Sequence, residues 1–437
     1  MTPSSSAAPV SEPPPPFASR VRWQVCGLLF FATTINYMDR QILGLLAPKL
    51  QAEIGWNEVQ YARLVIAFQA AYAFSYAGFG RLIDRIGARN GYSLAIVFWS
   101  LAAMGHALAR SVYGFGVARF ALGLGEGGNF PAAVKAVTEW FPRRERALAT
   151  GLFNAGANVG AVLAPLTVPW LTATYGWRAA FVVLGALGFV WVVFWWWLYE
   201  SPRNSRRVSA AERALILSDP PQPAGLRLAW GRLLGYRQTW AYIVGTSLSA
   251  PIWWFYLYWL PKFLGGRFGL DLQKLGPPLV LIYSLTSLGS VGGGWFSGYL
   301  LRQGWSVNAA RKTALLVCAL AVMPVMLVTA QPNLWVAAGL VGLAAAAHQG
   351  WAANLYTLVS DLFPKEAVAS VVGIGGTCGS LMAMVFSESA GTILQRTGSY
   401  WSLFLISGSA YIVALGIIQW LVPRMDPVGL TTGRADA

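Results

Sequence analysis

Long apolar stretches recur along nearly the whole chain, and they constrain its fold more than any other feature. They lie near 22–47, 59–80, 91–109, 114–137, 148–173 and 178–199, and again near 238–262, 278–300, 313–330, 334–358, 368–394 and 400–422. Many approach the ~20 residues that an α-helix needs to cross a bilayer. Composition agrees: 56% of residues are hydrophobic and 11% charged, against about 25% charged in a typical soluble domain. The expected fold is all-α and polytopic, with twelve transmembrane helices in two sets of six.

The formal charge of +15 invites a nucleic-acid reading, but its distribution argues against one. With both termini placed in the cytoplasm, most Lys and Arg fall at cytoplasmic ends and loops, from Arg20 and Arg22 through Arg143, Arg144, Arg146, Arg206 and Arg207 to Arg311 and Lys312. That bias is the positive-inside rule, which sets orientation. The expected partners are therefore the lipid bilayer and a small solute, not nucleic acid. Cys26, Cys318 and Cys378 lie in apolar spans without ligand spacing, so neither a disulfide framework nor a metal site is expected. Residues 1–19, rich in Ser, Pro and Ala, read as a disordered cytoplasmic tail. The remaining divisions are a first bundle at 20–199, a cytoplasmic linker at 200–237, a second bundle at 238–422 and a tail at 423–437. Within the linker, Ser209 with Glu212 three residues later predicts a capped short helix. His106, Lys135 and Trp195-Trp196-Trp197 are expected at membrane interfaces.

Four charges sit inside the spans: Asp39 and Arg40 in the first, Arg119 and Glu126 in the fourth. A charge at the centre of a spanning helix costs roughly 2.5–3.5 kcal/mol on insertion scales, so such groups usually face a bundle interior and mark a pathway. Arg119 and Glu126 are about two turns apart, ~10.5 Å along one helix face. Counting from the helix ends puts Asp39 about 12 Å deep, Arg119 about 7 Å and Glu126 about 18 Å. An Asp39–Arg119 pair is sterically allowed, which leaves Arg40, about 100° around its helix, to point elsewhere. Gly123 and Gly127, on the face of Arg119 and Glu126, permit close approach of a neighbouring helix or a ligand.

The two halves echo each other. Glu139-Trp140-Phe141-Pro142-Arg143-Arg144 precedes the fifth span and Asp361-Leu362-Phe363-Pro364-Lys365-Glu366 the eleventh. Repeats related along the membrane normal are a transporter architecture, with a substrate site near the midplane. The loop Gly80-Arg81-Leu82-Ile83-Asp84-Arg85-Ile86-Gly87-Ala88-Arg89 resembles the signature cytoplasmic loop of the major facilitator superfamily. Asn36-Tyr37-Met38-Asp39-Arg40 and the stretch from Arg119 through Gly125-Glu126-Gly127-Gly128 to Pro131 resemble the first- and fourth-helix motifs of its anion:cation symporter family. Trp254-Phe255-Tyr256-Leu257-Tyr258-Trp259, His348-Gln349-Gly350-Trp351-Ala352-Ala353-Asn354 and Phe363 to Gly376 resemble bacterial hexuronate transporters. The resemblance covers nearly all of the chain except its tails. It implies the major facilitator fold, with two pseudo-symmetric six-helix bundles, in a bacterial inner-membrane symporter of sugar acids that acts as a monomer.

Residue chemistry and the resemblance divide the roles alike. A carboxylate crossing a low-dielectric cavity needs a fixed cation, and the planar fork of arginine matches it bidentately. Arg40 is the expected carboxylate ligand. Arg119 is either the modulator of Asp39, locked to it in a salt bridge, or a direct ligand. Proton coupling needs carboxyl groups whose affinity responds to hydration and to a neighbouring cation, and Asp39 and Glu126 fit. The proton is then the coupling ion, with no cofactor. Candidates for the solute's hydroxyls are Tyr37, Tyr72 and Asn158 in the first half, with Tyr258, His348, Gln349 and Asn354 in the second. Asp84 and Arg85, by resemblance, gate the cytoplasmic helix ends. The glycines at 127–128, 292–294 and 373–376 lie inside spans and read as close helix packing, not as a phosphate loop. The expected function is proton-coupled import of hexuronates such as galacturonate and glucuronate. Rivals are import of another organic anion (an aldonate, aldarate or aromatic acid), drug/proton antiport, and sensing of a sugar acid without transport. No metal pair or nucleophilic constellation points to an enzyme, and no catalytic residue is expected.

Overall fold

A hydrocarbon surround leaves each spanning segment to satisfy its own backbone hydrogen bonds, and among the described residues the spans do so with helices. The computed structural model describes residues 19–56, 58–219, 230–270 and 276–428. The expected tail at 1–19 lies outside them except for Ser19, as do parts of the expected linker (220–229) and final tail (429–437). The helices are α1 (Val21–Ile54), α2 (Glu58–Gly105), α3 (Val112–Glu126), α4 (Asn129–Trp140), α5 (Arg143–Tyr175), α6 (Trp177–Leu198) and α7 (Ala210–Ile216). They continue with α8 (Trp230–Leu233), α9 (Arg237–Phe268), α10 (Gly276–Arg302), α11 (Val307–Val322), α12 (Leu334–Leu362), α13 (Lys365–Thr397) and α14 (Trp401–Leu421).

Twelve spans emerge from these helices. The second and third are two arms of α2, folded at Gly87, whose φ of 83° and ψ of 162° suit only glycine. The fourth is α3 plus α4, broken at Gly127-Gly128, where any Cβ would meet Ser75, Phe79 or Ala95 of α2. A 3-10 segment, Met323–Ala330, completes the ninth span after α11. The halves repeat in structure as well. Pro142 opens α5 at φ −66°, ψ 154°, and Pro364 opens α13 at φ −63°, ψ 153°. Each follows an extended phenylalanine that closes the preceding helix.

Large side chains such as Phe31, Phe74, Val193, Trp197, Leu288 and Trp420 stand exposed along the outer faces, as a lipid-facing surface requires. Three interfacial expectations need correction. Trp195 is fully buried, stacked between Trp191 and Tyr199, and only Trp196 and Trp197 are exposed. His106 is fully buried, its ring parallel to that of Phe181 at 4.9 Å and one nitrogen on Ala102 O. Lys135 is buried because Asp84 pairs with it at 2.7 Å.

The bundles α1–α6 and α9–α14 are joined on the face where α1 begins and α14 ends, the termini face. A Cβ on Gly80 would strike the carbonyl of Ala369, and one on Gly373 that of Tyr76, so only glycine lets α2 and α13 touch backbone to backbone. Asp84 accepts hydrogen bonds from the N–H groups of Ala369 (3.3 Å) and Ser370 (2.6 Å) while pairing with Lys135. Arg85 is exposed. Across the α5–α12 seam, Arg146 pairs with Asp361 (3.4 Å) and donates to Ser360 O (2.7 Å), and Arg311 pairs with the same Asp361 (2.9 Å) and donates to Arg143 O. The polar segment after α6 reinforces this face. Ser209 caps α7 as predicted, accepting from Glu212 N–H, but the Glu212 carboxylate reaches instead to the N–H groups of Val21 and Arg22 and to the Arg22 guanidinium. Asp219 pairs with Arg146 at 2.8 Å.

Candidate functional site

Toward the opposite face from this latch, the bundles enclose a central cavity. Its first-bundle wall is Tyr37, Arg40, Tyr72, Tyr76, Phe130 and Asn154; Thr246, Ser249, Trp253, Trp254, His348, Gln349 and Tyr356 form the facing wall. Beyond it a cleft continues between Phe68, Gln69 and Tyr72 on one side and Trp254, Ser380 and Met384 on the other.

Arg40 is the charged group among the described lining residues. Its Nε and Nη2 both reach one oxygen of Glu126, at 2.9 and 2.8 Å, and Nη2 also donates to Asn36 Oδ1 at 3.3 Å. The guanidinium lies against three rings, with centroids at 4.6 Å (Tyr37), 4.7 Å (Tyr72) and 5.1 Å (Phe68). Aromatic faces attract a cation and hold its plane. Glu126 is fully buried behind Arg40, and its other oxygen has no hydrogen-bond partner among the described residues.

The Asp39–Arg119 pairing that helix depth allowed is not how these residues are placed. Asp39 is buried with neither oxygen hydrogen-bonded among the described residues, while Arg119 donates from Nη2 to the backbone carbonyl of Arg40 at 3.2 Å. Depth counting treated side chains as points. The arginine side chain instead spans the height difference, so Arg40 meets the deeper Glu126. Neither Asp39 nor Arg119 lines the cavity.

Among the expected hydroxyl ligands, Tyr37, Tyr72, His348 and Gln349 lie on the wall. His348 stacks on Trp253 at 5.4 Å, and its Nδ1 lies 2.6 Å from the hydroxyl of Tyr411. Asn158 is buried away from the wall, and Asn154, one turn earlier, takes that place. Asn154 donates across the cavity floor to Ser290 Oγ (3.1 Å) and to Gln349 Oε1, joining the bundles. Asn354 is also off the wall, donating to the carbonyls of Gly293 (3.0 Å) and Gly350 (2.9 Å) where α10 crosses α12. The Tyr258 side chain lies outside the described residues. Sequence reading missed Asn154, Tyr76, Tyr356, Trp253 and Trp254. Tyr76 and Asn154 sit one helical turn from residues it did name, and that spacing was the available signal.

This site can hold an anion with hydroxyl groups: one guanidinium for the charge, amides and phenols for hydrogen bonds, aromatic faces for C–H surface. Known proteins agree with the architecture. Residues 29–387 match the family described as the Major Facilitator Superfamily. A hexuronate transporter of Escherichia coli (strain K12) is 30% identical over 413 residues, 93% of this chain and 95% of its own. A galacturonate transporter of Dickeya chrysanthemi is 32% identical over 292 residues, covering 66% of this chain and 84% of its own. Among solved structures, the proton:xylose symporter XylE bound to 6-bromo-6-deoxy-D-glucose superposes with a TM-score of 0.72 at 16% identity, over 94% of this chain and 98% of that one. That likeness carries the fold, twelve helices in two halves. The chain therefore belongs to the Major Facilitator Superfamily and is a multi-pass membrane transporter, not an enzyme.

Proposed function

We propose that this transporter is a proton-coupled symporter that imports hexuronates such as galacturonate and glucuronate across a bacterial inner membrane, with both termini in the cytoplasm. The observation that carries the reading is the guanidinium of Arg40, the charged group among the described lining residues, in a wall of phenols, indoles and amides. A sugar acid presents one carboxylate, several hydroxyls and an apolar ring face, and each finds a counterpart there. The names of the relatives in Escherichia coli and Dickeya point to the same substrate class. Both walls come from one chain, so a monomer is sufficient.

The Arg40–Glu126 pair supplies a coupling device. While Glu126 is ionised it occupies the Arg40 fork, which then has less to offer a substrate carboxylate. A proton on Glu126 removes that competitor, so substrate and proton load together. Asp39, buried on the neighbouring helix position, is the second proton carrier. Arg119, bonded to the Arg40 carbonyl, fixes the backbone from which Arg40 extends. Closure around the loaded site and opening of the termini face, by release of Asp84 from α13 and of Arg146 from α12, completes alternating access. The arginines of the termini face support its cytoplasmic placement.

Substrate class is tested by competition. Uptake of labelled galacturonate into proteoliposomes is expected to be inhibited by glucuronate and not by neutral galactose. Inhibition by galactose equal to that by glucuronate would remove Arg40 from its role as carboxylate ligand.

A further inference from the structure

A second cavity, remote from the transport site, lies on the termini face where α6 leaves the membrane. Its volume is about 490 Å³, and Arg89, Glu200, Ser201, Asn204, Arg206 and Arg207 line it. We propose that it is a binding site for the headgroup of an anionic phospholipid, held by the phosphate, in the leaflet on the termini side.

The arginines are organised rather than scattered. Arg89 donates from Nη2 to the carbonyl of Trp196 at 2.7 Å and lies 4.6 Å from that indole's centroid. Its Nε is buried and has no hydrogen-bond partner among the described residues. Arg207 covers the ring of Trp197 at 4.0 Å. Arg89 and Arg207 are thus fixed on tryptophans that are themselves open to the surroundings, Trp196 at 47% and Trp197 at 65%. Three guanidinium groups share the space with one carboxylate, a net excess of two positive charges.

Two features favour a lipid over a free phosphate ion. The exposed edge of α6 runs Val190, Val193, Phe194, Trp197, so the lipid-facing stripe ends at the lip of the pocket, and a headgroup bound there keeps its acyl chains against that stripe. Glu200 repels a bare anion, yet with Ser201 and Asn204 it offers acceptors to a headgroup that carries hydroxyl donors beside its phosphate. Basic pockets next to spanning helices, with indoles at headgroup level, are the expected chemistry for this.

The test uses the full-length protein in mild detergent, with lipid retention read by native mass spectrometry. One phosphatidylglycerol is expected to be retained in preference to phosphatidylcholine. The R206Q/R207Q variant should retain it about 25-fold less tightly, about fivefold for each charge removed. Equal retention of the two lipids, or an unaffected variant, would overturn the proposal. So would displacement of the lipid by excess inorganic phosphate, which would assign the site to a free anion. Should that variant fail to fold, a photoactivatable phosphatidylglycerol on the wild-type protein decides. Labelling at Arg89 or within 190–213 supports the site, and labelling confined to other segments refutes it.

Discussion

At Arg40 one guanidinium faces two ways, toward the fully buried Glu126 at 2.8 Å and toward the open cavity. Removing a charged, hydrogen-bonded group from such a position costs about 2–5 kcal/mol. Arg40→Ala is therefore expected to weaken substrate binding at least ~30-fold, measured as the half-saturation of uptake. Arg40→Lys should recover little of it, because a point charge cannot reproduce the fork. A lysine variant with wild-type half-saturation would show that charge alone is recognised. Single residues were the least legible scale in the sequence. The four intramembrane charges stand out because hydrocarbon makes them costly, but their pairing depends on side-chain reach and helix rotation. That is why the ion pair described between α1 and α3 joins Arg40 to Glu126, while Arg119 meets α1 at the Arg40 carbonyl. Lys135 and His106 show the same limit, since each is buried by a partner from a distant stretch, Asp84 and Phe181 respectively.

Helices were legible wherever hydropathy alone decides them, as in α6, α12 and α14. The break between α3 and α4 was not, because Gly127 and Gly128 sit in an apolar run and their effect appears only against Ser75, Phe79 and Ala95. The contact of α2 with α13 on the termini face depends on Gly80 and Gly373. Overpacking typically costs about 1–3 kcal/mol, so Gly80→Val should lower the closed-to-open ratio of that face by about five- to 150-fold. Spin-label distances between the α2 and α13 ends would report it as a shift to longer separations. An unchanged distance distribution would mean that the Asp84 and Asp361 networks hold the face closed without the glycine contact. The short α7 adds a second strap, with Glu212 gripping the start of α1. Its cap was readable from Ser209, but its docking partner was not.

Across the whole molecule the two bundles share a central cavity, and the hydrogen bonds between them among the described residues lie on its termini side, at its floor and beside its wall, where Thr377 Oγ1 donates to Ala73 O at 2.6 Å. The internal repeat foreshadowed this arrangement: the matched Phe-Pro turns before α5 and α13 place both helices alike at the seam. In the proposed mechanism Glu126, by pairing with Arg40, ties substrate movement to a proton. The most direct test compares galacturonate accumulation in proteoliposomes with and without an inward proton gradient, for wild-type protein and Glu126→Gln. Gradient-dependent accumulation by the wild type is expected. The variant should exchange substrate across the membrane yet fail to concentrate it. Equal accumulation by the variant under the same gradient would contradict the assignment of Glu126, and wild-type uptake indifferent to the gradient would contradict proton coupling itself.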